Sequence, residues 1–430
     1  MGIRRKHHEK ESLFAAIDQR QAEILSWGNA FFDCAELGFQ EVKTAAAITT
    51  LLDQWNIPYE SGIAMTGIRV TLGSGSPHIA FVSDMDALPC KSKNGTVHSC
   101  GHSIQTTLAL TLIRALADCG LPKKNSGRIS FFFTPAEEFI DFTFRDQCIA
   151  EGKIRYRSGK QNMIAEGYFD DVDCVLSAHA NGETEYLFDI NSTLAGFLAK
   201  KAVFLGTASH SGAAPHLGRN ALHGAVLAQN ALAFLKDRFP ASAGLQLHPV
   251  ITEGGGTVNI IPDRTVMETY IRANDNATLF VAEEQVEQCI HHCAAALGLG
   301  CETETTPGYL PLRQSAEMNE MVLENMLLFC EEDQILRNVV SGASGDIGDL
   351  GFLLPAVQMG FSGIKGQFHN DNFTIADKEN CYIRTAKVLA GTLFDLLQKP
   401  MHQPADFAAK KEKYLKQLEK RQNLEIFTES

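Results

Sequence analysis

Residues 98–103 place one thiol and two imidazoles within the six-residue stretch His-Ser-Cys-Gly-His-Ser. Cysteine thiolate and neutral imidazole are ligands that zinc and its transition-metal neighbours prefer. Cys100 and His102 are two residues apart, so their side chains point the same way if the backbone is extended. Ser103 occupies the place of a helix N-cap ahead of an apolar helical run. We therefore predict a metal site, against the alternative of a buried cysteine beside two helix-end histidines.

Further acids and a histidine stand where predicted strands end. Their positions are Asp84 and Asp86 after the strand at 78–83, Glu137 and Glu138 after the strand at 128–134, and His179 after the strand at 172–176. Open α/β sheets form their sites at such strand ends. These side chains are therefore expected to converge on one edge of a sheet.

Five side chains are candidate metal ligands: Cys100, His102, Glu138, His179 and His369. Thiolate, imidazole and carboxylate together suit Zn²⁺ or Mn²⁺, with Co²⁺ or Ni²⁺ as alternatives, better than Mg²⁺ or Ca²⁺. Because a catalytic zinc usually takes three protein ligands, five ligands predict two divalent ions, which make hydroxide available at neutral pH. Glu137 could then carry the proton of water to a leaving amine, although two adjacent acids also suit a helix start. Asp86 is predicted to accept the second N–H of a ligating imidazole.

The composition indicates a globular protein of more than one domain. The chain has 430 residues, 45% of them hydrophobic, and a net charge of −13. That charge argues against a nucleic acid or an anionic membrane as partner. Eleven scattered cysteines, and the lack of an apolar run of signal-peptide or membrane-spanning length, predict a cytoplasmic location.

Hydrophobic periodicity predicts a two-domain α/β protein. We expect a mixed-sheet α/β/α catalytic domain from 1–195 and 306–400, a smaller inserted α+β domain at 196–305, and a charged C-terminal helix at 401–430. Two helices are expected between residues 9 and 55, broken near Gly38. The polar segment 139–167 contains five basic residues; it is either a solvated excursion or a flap that brings positive charge to an anionic substrate.

The order of several motifs resembles the M20 metallopeptidase family, and within it the subfamily D amidohydrolases that cleave hippurate, indole-acetyl amino acids and aminobenzoyl-glutamate. The motifs lie at 36–41, 84–89, 100–102, 135–138, 179, 209–216 and 254–262. The resemblance implies a zinc-aminopeptidase-like catalytic domain with a ferredoxin-like lid through which two chains form a homodimer.

The resemblance also implies roles for individual residues. It implies that Cys100 bridges the two metals, that Glu138 and His369 complete one metal, and that His102 and His179 complete the other. Glu137 corresponds to the general base, and His210 to a lid histidine that reaches across the dimer to stabilise the oxyanion. Asn259 and Arg272 correspond to positions that bind a substrate carboxylate, a task for which guanidinium is suited by its paired donors. Ser344 is a further candidate for substrate binding. Without the resemblance, His210 and Arg272 would be ordinary loop and strand residues.

The chain departs from the subfamily at two places. Ser103 stands where an acid usually follows the Cys-Gly-His motif, so one acid near the metals is lost. The loop at 344–349 is similar to the aminobenzoyl-glutamate hydrolase branch rather than to typical members.

We therefore predict a metal-dependent amidohydrolase that cleaves N-acyl or N-aroyl amino acids, such as aminobenzoyl-glutamate-like substrates, with a metal-activated hydroxide as nucleophile. A dipeptidase of the same family is one alternative. A homologue that binds a metabolite without catalysis is another, and a cysteine hydrolase with Cys100 as nucleophile is a third. Chelation separates the last from the metal enzyme, because only the metal enzyme loses activity.

Overall fold

The computed structural model describes residues 2–90, 95–124, 126–421 and 425–427 of the chain. These residues form two compact units. Unit 1 contains residues 1–192, 313–339 and 349–408, and unit 2 contains residues 193–312, 340–348 and 409–430. Residues 340–348 and 409–430 thus group with the inserted part of the chain, while the functions assigned to the predicted domains stay predictions.

The α-helices of the described residues are α1 (Gly2–Gln19), α2 (Gln21–Asp33), α3 (Val42–Gln54), α4 (His102–Asp118), α5 (Phe142–Ala150), α6 (Gly159–Ala165), α7 (Ala221–Leu235), α8 (Asn276–Ala295), α9 (Ala316–Met326), α10 (Ile347–Leu353), α11 (Thr385–Gln398) and α12 (Phe407–Arg421). A π-helical segment, Glu379–Arg384, leads directly into α11.

The strands of the described residues are β1 (Tyr59–Ile63), β2 (Gly67–Ser74), β3 (His78–Asp84), β4 (Leu88–Cys90), β5 (Gly95–Val97), β6 (Gly127–Thr134), β7 (Cys174–Ala180), β8 (Phe188–Ile190), β9 (Gly196–Leu205), β10 (Gln246–Leu247), β11 (Val250–Glu253), β12 (Arg264–Ala273), β13 (Gly300–Pro307), β14 (Ile335–Arg337), β15 (Ala356–Phe361), β16 (Ile364–Lys365), β17 (Thr374–Ile375) and β18 (Glu425–Phe427).

Unit 1 is built on a mixed sheet with the strand order β1-β2-β6-β3-β7-β15-β8-β14. Its centre is parallel, since β3 pairs in parallel with β6 and β7, and β7 does so with β15. Every residue of β3 is buried, as expected for a strand covered on both faces. The helix α4 is also buried along nearly its whole length. The sheet therefore brings the ends of β6, β3 and β7 together inside a closed core.

Unit 2 is built on an antiparallel sheet with the order β10-β12-β9-β13-β18, and β11 pairs with β12. The helices α7 and α8 pack on each other and on β9 and β12. Helix α12 contributes buried Tyr414 and Leu418, and Arg421 forms a two-point ion pair with Glu283 of α8. The predicted C-terminal helix therefore ends at Arg421; residues 422–424 and 428–430 lie outside the described residues.

Three local predictions were wrong. Residues 9–55 form three helices rather than two, because the chain breaks at Arg20 as well as after Asp33. His179 lies within β7 rather than after it. Ser103 does not cap α4: Gly101, with φ of 90°, is the N-cap, and Ser103 is buried in the first turn. The left-handed backbone at Gly101 turns the chain directly from Cys100 into the helix.

No helix among the described residues is long and apolar enough to cross a bilayer.

Candidate metal centre

Neighbouring elements of unit 1 deliver the predicted ligands to one place. Strand β7 carries His179, and the loop after β6 carries Glu138. His102 is the first residue of α4, and Cys100 precedes it by two residues. The backbone N–H of His369 donates to the carbonyl of Ser99 at 3.0 Å, which ties the later loop to this one.

Together with a carboxylate oxygen of Glu137, the candidate ligand atoms form three overlapping groups, and within each group all atoms lie within 4.8 Å of one another. The groups are Cys100–His102–His179, Cys100–Glu138–His369 and His102–Glu137–Glu138. The Sγ of Cys100 is 3.7 Å from Nε2 of His179, and Nε2 of His369 is 3.5 Å from Oε1 of Glu138. Cys100, His102 and Glu138 each belong to two of the groups, so the groups share ligand atoms as the sites of two neighbouring ions would.

The chemistry of the cluster fits divalent cations. Among the described residues, Nε2 of His102 and Oε1 of Glu138 are buried without a hydrogen-bond partner. Buried polar atoms are almost always satisfied, so these two atoms are suited to a ligand. Burial, together with Glu138, raises the pKa of the Cys100 thiol well above its usual range. A bound cation would offset this by stabilising the thiolate.

His179 is already in the form that binds metals. Burial and the neighbouring His102 lower its pKa to about 4, so the imidazole is neutral at physiological pH. Its Nδ1–H donates a hydrogen bond to the carbonyl of Ala180 at 2.9 Å. The unprotonated Nε2 then faces the thiol of Cys100.

Asp86 contacts two of the candidate ligands. Its Oδ1 lies 3.0 Å from Nδ1 of His102, and its Oδ2 accepts the backbone N–H of Glu138 at 2.9 Å. Burial would raise the pKa of Asp86, but the hydrogen bond and charge of His102 hold it below the usual value. One carboxylate therefore fixes the ring of His102 and the backbone of Glu138.

A buried acid outside the predicted set supports the 135–138 loop from the other side. Oε1 of Glu41 accepts the backbone N–H of Ala136 at 2.9 Å, and Thr66 donates to its Oε2 at 2.6 Å. Ala136 has φ of 55°, which is unfavourable for a residue with a side chain. Burial and the charge of Asp86 raise the pKa of Glu41 to about 8. Glu41 is therefore mostly neutral at pH 7.

We expect Glu41→Gln to become more stable relative to wild type as pH rises from 4.5 to 8. Over that range the unfolded wild-type chain ionises Glu41 while the folded chain keeps it protonated, so wild type loses up to about 1.4 kcal/mol per pH unit. Glutamine mimics the neutral acid and has no such dependence. Urea unfolding at pH 5 and pH 8 measures the difference, with Glu41→Leu as a control that removes the hydrogen bonds. Parallel stability curves for wild type and Glu41→Gln would contradict a raised pKa.

Two of the five basic residues of the 139–167 segment are buried rather than presented to solvent as a flap would present them. Arg145 in α5 is fully buried, and Lys160 in α6 is 1% exposed. The ammonium of Lys160 bonds to Oδ1 of Asp84, while Arg145 donates to backbone carbonyls. The flap hypothesis is wrong for these two residues, because their charged groups are buried and bonded to other parts of the chain and so cannot contact a substrate in solution.

In unit 2, the predicted oxyanion residue His210 is exposed, and its ring is fixed by its own loop. Its Nδ1 accepts the backbone N–H groups of Gly212 at 3.1 Å and Ala213 at 3.0 Å. The ring proton must then lie on Nε2, which makes that atom a hydrogen-bond donor. The backbone N–H of Ser211 donates to the carbonyl of Asn259 at 3.0 Å, so His210 and Asn259 are neighbours.

Unit 2 also brings Arg272 and Ser344 together. Nη1 of Arg272 donates to Oγ of Ser344 at 3.2 Å and to the carbonyl of Gly342 at 3.1 Å. The guanidinium lies 5.3 Å from the ring centre of Phe197 and 5.5 Å from that of Tyr270. Aromatic contacts on a partly buried guanidinium hold it in one place, as anion recognition requires.

The sequence assigned no role to Glu41, and for Arg145 and Lys160 it offered only the flap hypothesis. Glu41 was visible only as the end of a motif, and the two cations resembled surface charges of a polar insertion. The one available signal was the polar character of an insertion that directly follows the acid pair at 137–138.

Comparison with known proteins gives consistent findings. Residues 80–395 match the sequence profile described as Peptidase family M20/M25/M40. The chain is 31% identical over 344 residues to the Xaa-Arg dipeptidase of Homo sapiens, which covers 75% of this chain and 70% of that protein. It is 27% identical over 295 residues to the hippurate hydrolase of Campylobacter jejuni, covering 64% and 70% respectively. It is also 29% identical over 276 residues to one component of the p-aminobenzoyl-glutamate hydrolase of Escherichia coli, covering 59% and 57%.

The fold is also similar to solved structures. One is a Bacillus subtilis protein described as a dinuclear metal-binding peptidase of the M20 family, with a TM-score of 0.68 and 18% identity. The superposition covers 89% of this chain and 99% of that protein. The predicted α/β fold class is therefore confirmed.

Proposed function

Because the chain belongs to peptidase family M20/M25/M40 and is a hydrolase of amide bonds, we propose that it releases an amino acid from its N-acyl or N-aroyl derivative. The observation that carries this proposal is the cluster of Cys100, His102, His179, Glu138 and His369 in unit 1. Its two unsatisfied buried atoms, and the adjacent carboxylate of Glu137, suit hydrolysis better than simple binding.

We propose that the cluster holds two divalent ions, Zn²⁺ or Mn²⁺ in the first place and Co²⁺ or Ni²⁺ as alternatives. Cys100 would contribute to both ions, with Glu138 and His369 at one, and with His102 and His179 at the other. The ligand set of one thiolate, one carboxylate and three imidazoles supports this range of metals. When bound, such ions polarise a carbonyl oxygen and lower the pKa of a water molecule.

Glu137 is the group that would move the proton. Its Oε2 lies 3.7 Å from Nε2 of His102, and its side chain is 11% exposed. A carboxylate at this position can accept a proton from the attacking water and donate it to the leaving amine. Asp86 would keep His102 and Glu138 oriented while this happens.

Hydrogen-bond donors of unit 2 have two proposed roles, which are to stabilise the oxyanion and to bind the substrate carboxylate. The Nε2–H of His210, contributed by the second chain of a dimer, would donate to the oxyanion of the tetrahedral intermediate. Arg272, Ser344 and Asn259 would bind the free carboxylate of the substrate. The pairing of Arg272 with Ser344 supports this assignment, since both offer donors at one position.

A dipeptidase is the second candidate function. The 31% identity to the Xaa-Arg dipeptidase favours it, and a dipeptide also carries an amide bond next to a free carboxylate. The two candidates differ in the group on the amino side of the scissile bond, which is an uncharged acyl or aroyl group in one and an ammonium-bearing residue in the other.

The test is hydrolysis of a panel before and after removal of metal. We expect cleavage of N-benzoyl, N-acetyl and aminobenzoyl amino acids that is lost on treatment with a chelator and restored by Mn²⁺, Zn²⁺ or Co²⁺. Faster cleavage of Xaa-Arg dipeptides would select the second candidate. Activity that survives chelation but is abolished by a thiol alkylator would contradict the metal mechanism.

We extend the proposal to a homodimer that forms through unit 2. Helix α7 exposes Val226, Leu227 and Phe234, the last at 72%, and β11 exposes Val250 at 58%. Large apolar side chains grouped on one element are typical of an interface. Light scattering is expected to give the mass of two chains, and the mass of one chain would refute the dimer.

We also propose a reducing, cytoplasmic environment. The eleven cysteines are in the thiol form, and five of them are buried. Proteins of oxidising compartments usually pair such residues, so thiols support this location. Detection of a protein disulfide after native isolation would count against it.

A further inference from the structure

Arg145 is a buried cation beside the metal cluster that serves no catalytic step proposed above. It lies in α5 within the 139–167 segment and is 0% exposed. Its Nη2 donates to the carbonyl of Glu138 at 2.5 Å, and its Nη1 donates to the carbonyl of Arg157 at 2.6 Å. A buried guanidinium needs hydrogen-bond acceptors in place of water, and these two carbonyls provide them.

The surroundings of Arg145 leave little room for movement. Its guanidinium carbon lies 5.5 Å from the centre of the Phe39 ring. A Cβ added to Gly38 would lie 2.7 Å from Nη2 of Arg145 and 2.7 Å from Cα of Ala136. Glycine is therefore required at position 38 for the close approach of the 135–138 loop and Arg145. The guanidinium is held between an aromatic ring and two carbonyls.

Through these contacts, both polar backbone groups of Glu138 are held by side chains. Asp86 accepts its N–H at 2.9 Å, and Arg145 donates to its C=O, which also accepts from the N–H of Ile140 at 2.9 Å. By contrast, Oε1 of Glu138 has no hydrogen-bond partner among the described residues. The placement of the Glu138 backbone, held at both of its polar groups, therefore contributes to where that oxygen lies.

We propose that Arg145 is a positioning residue for Glu138 and so determines the affinity of the metal ion that Glu138 and His369 hold. The segment 139–167 is then a support for the ligand loop rather than a flap over the substrate. This inference rests on the proposed two-metal site. It predicts an unequal effect. The hydrogen bonds that hold His102 and His179, the proposed ligands of the other ion, come from Asp86 and Ala180, and Arg145 reaches that ion only through its charge on Asp86.

The experiment is a titration of metal-free protein with Mn²⁺ and with Zn²⁺, followed by calorimetry, for wild type and Arg145→Met. We expect two ions in both proteins, with one bound about 10–100-fold more weakly in the variant and the other weakened clearly less, since partners that orient ligands have effects of that size. At limiting metal kcat falls, excess metal restores most of it, and KM stays the same. Lys153→Met is the matched control, because Lys153 is in the same segment but is 54% exposed.

Unchanged affinities for both ions in folded Arg145→Met would overturn the inference. Equal weakening of both ions together with a lower melting temperature would also overturn it, since that pattern indicates a general structural role. If Arg145→Met does not fold, Arg145→Lys decides by the same criteria, because it keeps the charge and shortens the reach to the two carbonyls. Failure of wild-type protein to bind metal would instead refute the proposed function, which separates the two conclusions.

Discussion

Glu137→Gln is expected to lower kcat by about 10²–10⁴ while leaving the bound metal unchanged. Glutamine has nearly the same shape as glutamate but cannot accept the proton of water, so the proton transfer to the leaving amine loses its carrier. The expected loss corresponds to about 3–5 kcal/mol of transition-state stabilisation. KM should change little, because Glu137 is not among the residues proposed to bind the substrate carboxylate.

The comparison requires metal analysis, steady-state kinetics and a matched control. Glu151→Gln makes the same chemical change at the exposed end of α5, where Glu151 pairs with Lys153 at 2.6 Å, and should behave as wild type. Turnover by Glu137→Gln at the wild-type rate would eliminate Glu137 as the proton carrier. Loss of metal from this variant would instead assign Glu137 to the ligands, next to His102 and Glu138.

Cys100→Ala is expected to abolish activity and weaken the binding of both ions by more than about 100-fold. Removal of a residue that only orients a metal ligand lowers metal affinity by about 10–100-fold. Removal of Cys100, which belongs to two of the three ligand groups, should have a larger effect. Cys100→Asp keeps an anion that binds metals, so we expect it to recover part of the binding. Cys119→Ala, which removes a half-buried thiol just after α4, is the control.

These variants also separate the metal mechanism from a cysteine nucleophile. If Cys100 attacked the substrate, the aspartate variant would be inactive, and the alanine variant would have the same metal content as wild type. Burial, together with Glu138, raises the pKa of the Cys100 thiol, which is unfavourable for a nucleophile but is reversed by a cation.

Several of the proposed ligands could be located from sequence because they follow strong local patterns. The buried run of β3 and the apolar run of β6 are easily recognised, and the parallel centre of the sheet then brings Asp86 and Glu138 to the same edge. Cys100 and His102 could be paired because a short motif limits the distance between them.

Other features could not be inferred in this way. Ser103 satisfies the rule for an N-cap, but the left-handed turn at Gly101 starts α4 earlier. A Cβ added to Gly101 would lie 3.0 Å from the side chain of Ala180, a neighbour far along the chain that the local sequence does not reveal. Arg145 and Lys160 resemble surface charges in the sequence, since burial of a cation depends on tertiary partners such as the Glu138 carbonyl and Asp84. Local rules cannot supply those partners.

The most direct measurement is the metal content per chain of wild-type protein and Cys100→Ala, determined side by side after reconstitution and removal of excess ions. We predict about two divalent ions per wild-type chain, from the ligand groups of the cluster, and substantially fewer in the variant. A wild-type chain that binds no ion, or a Cys100→Ala chain that retains both, would contradict a two-metal site built around Cys100.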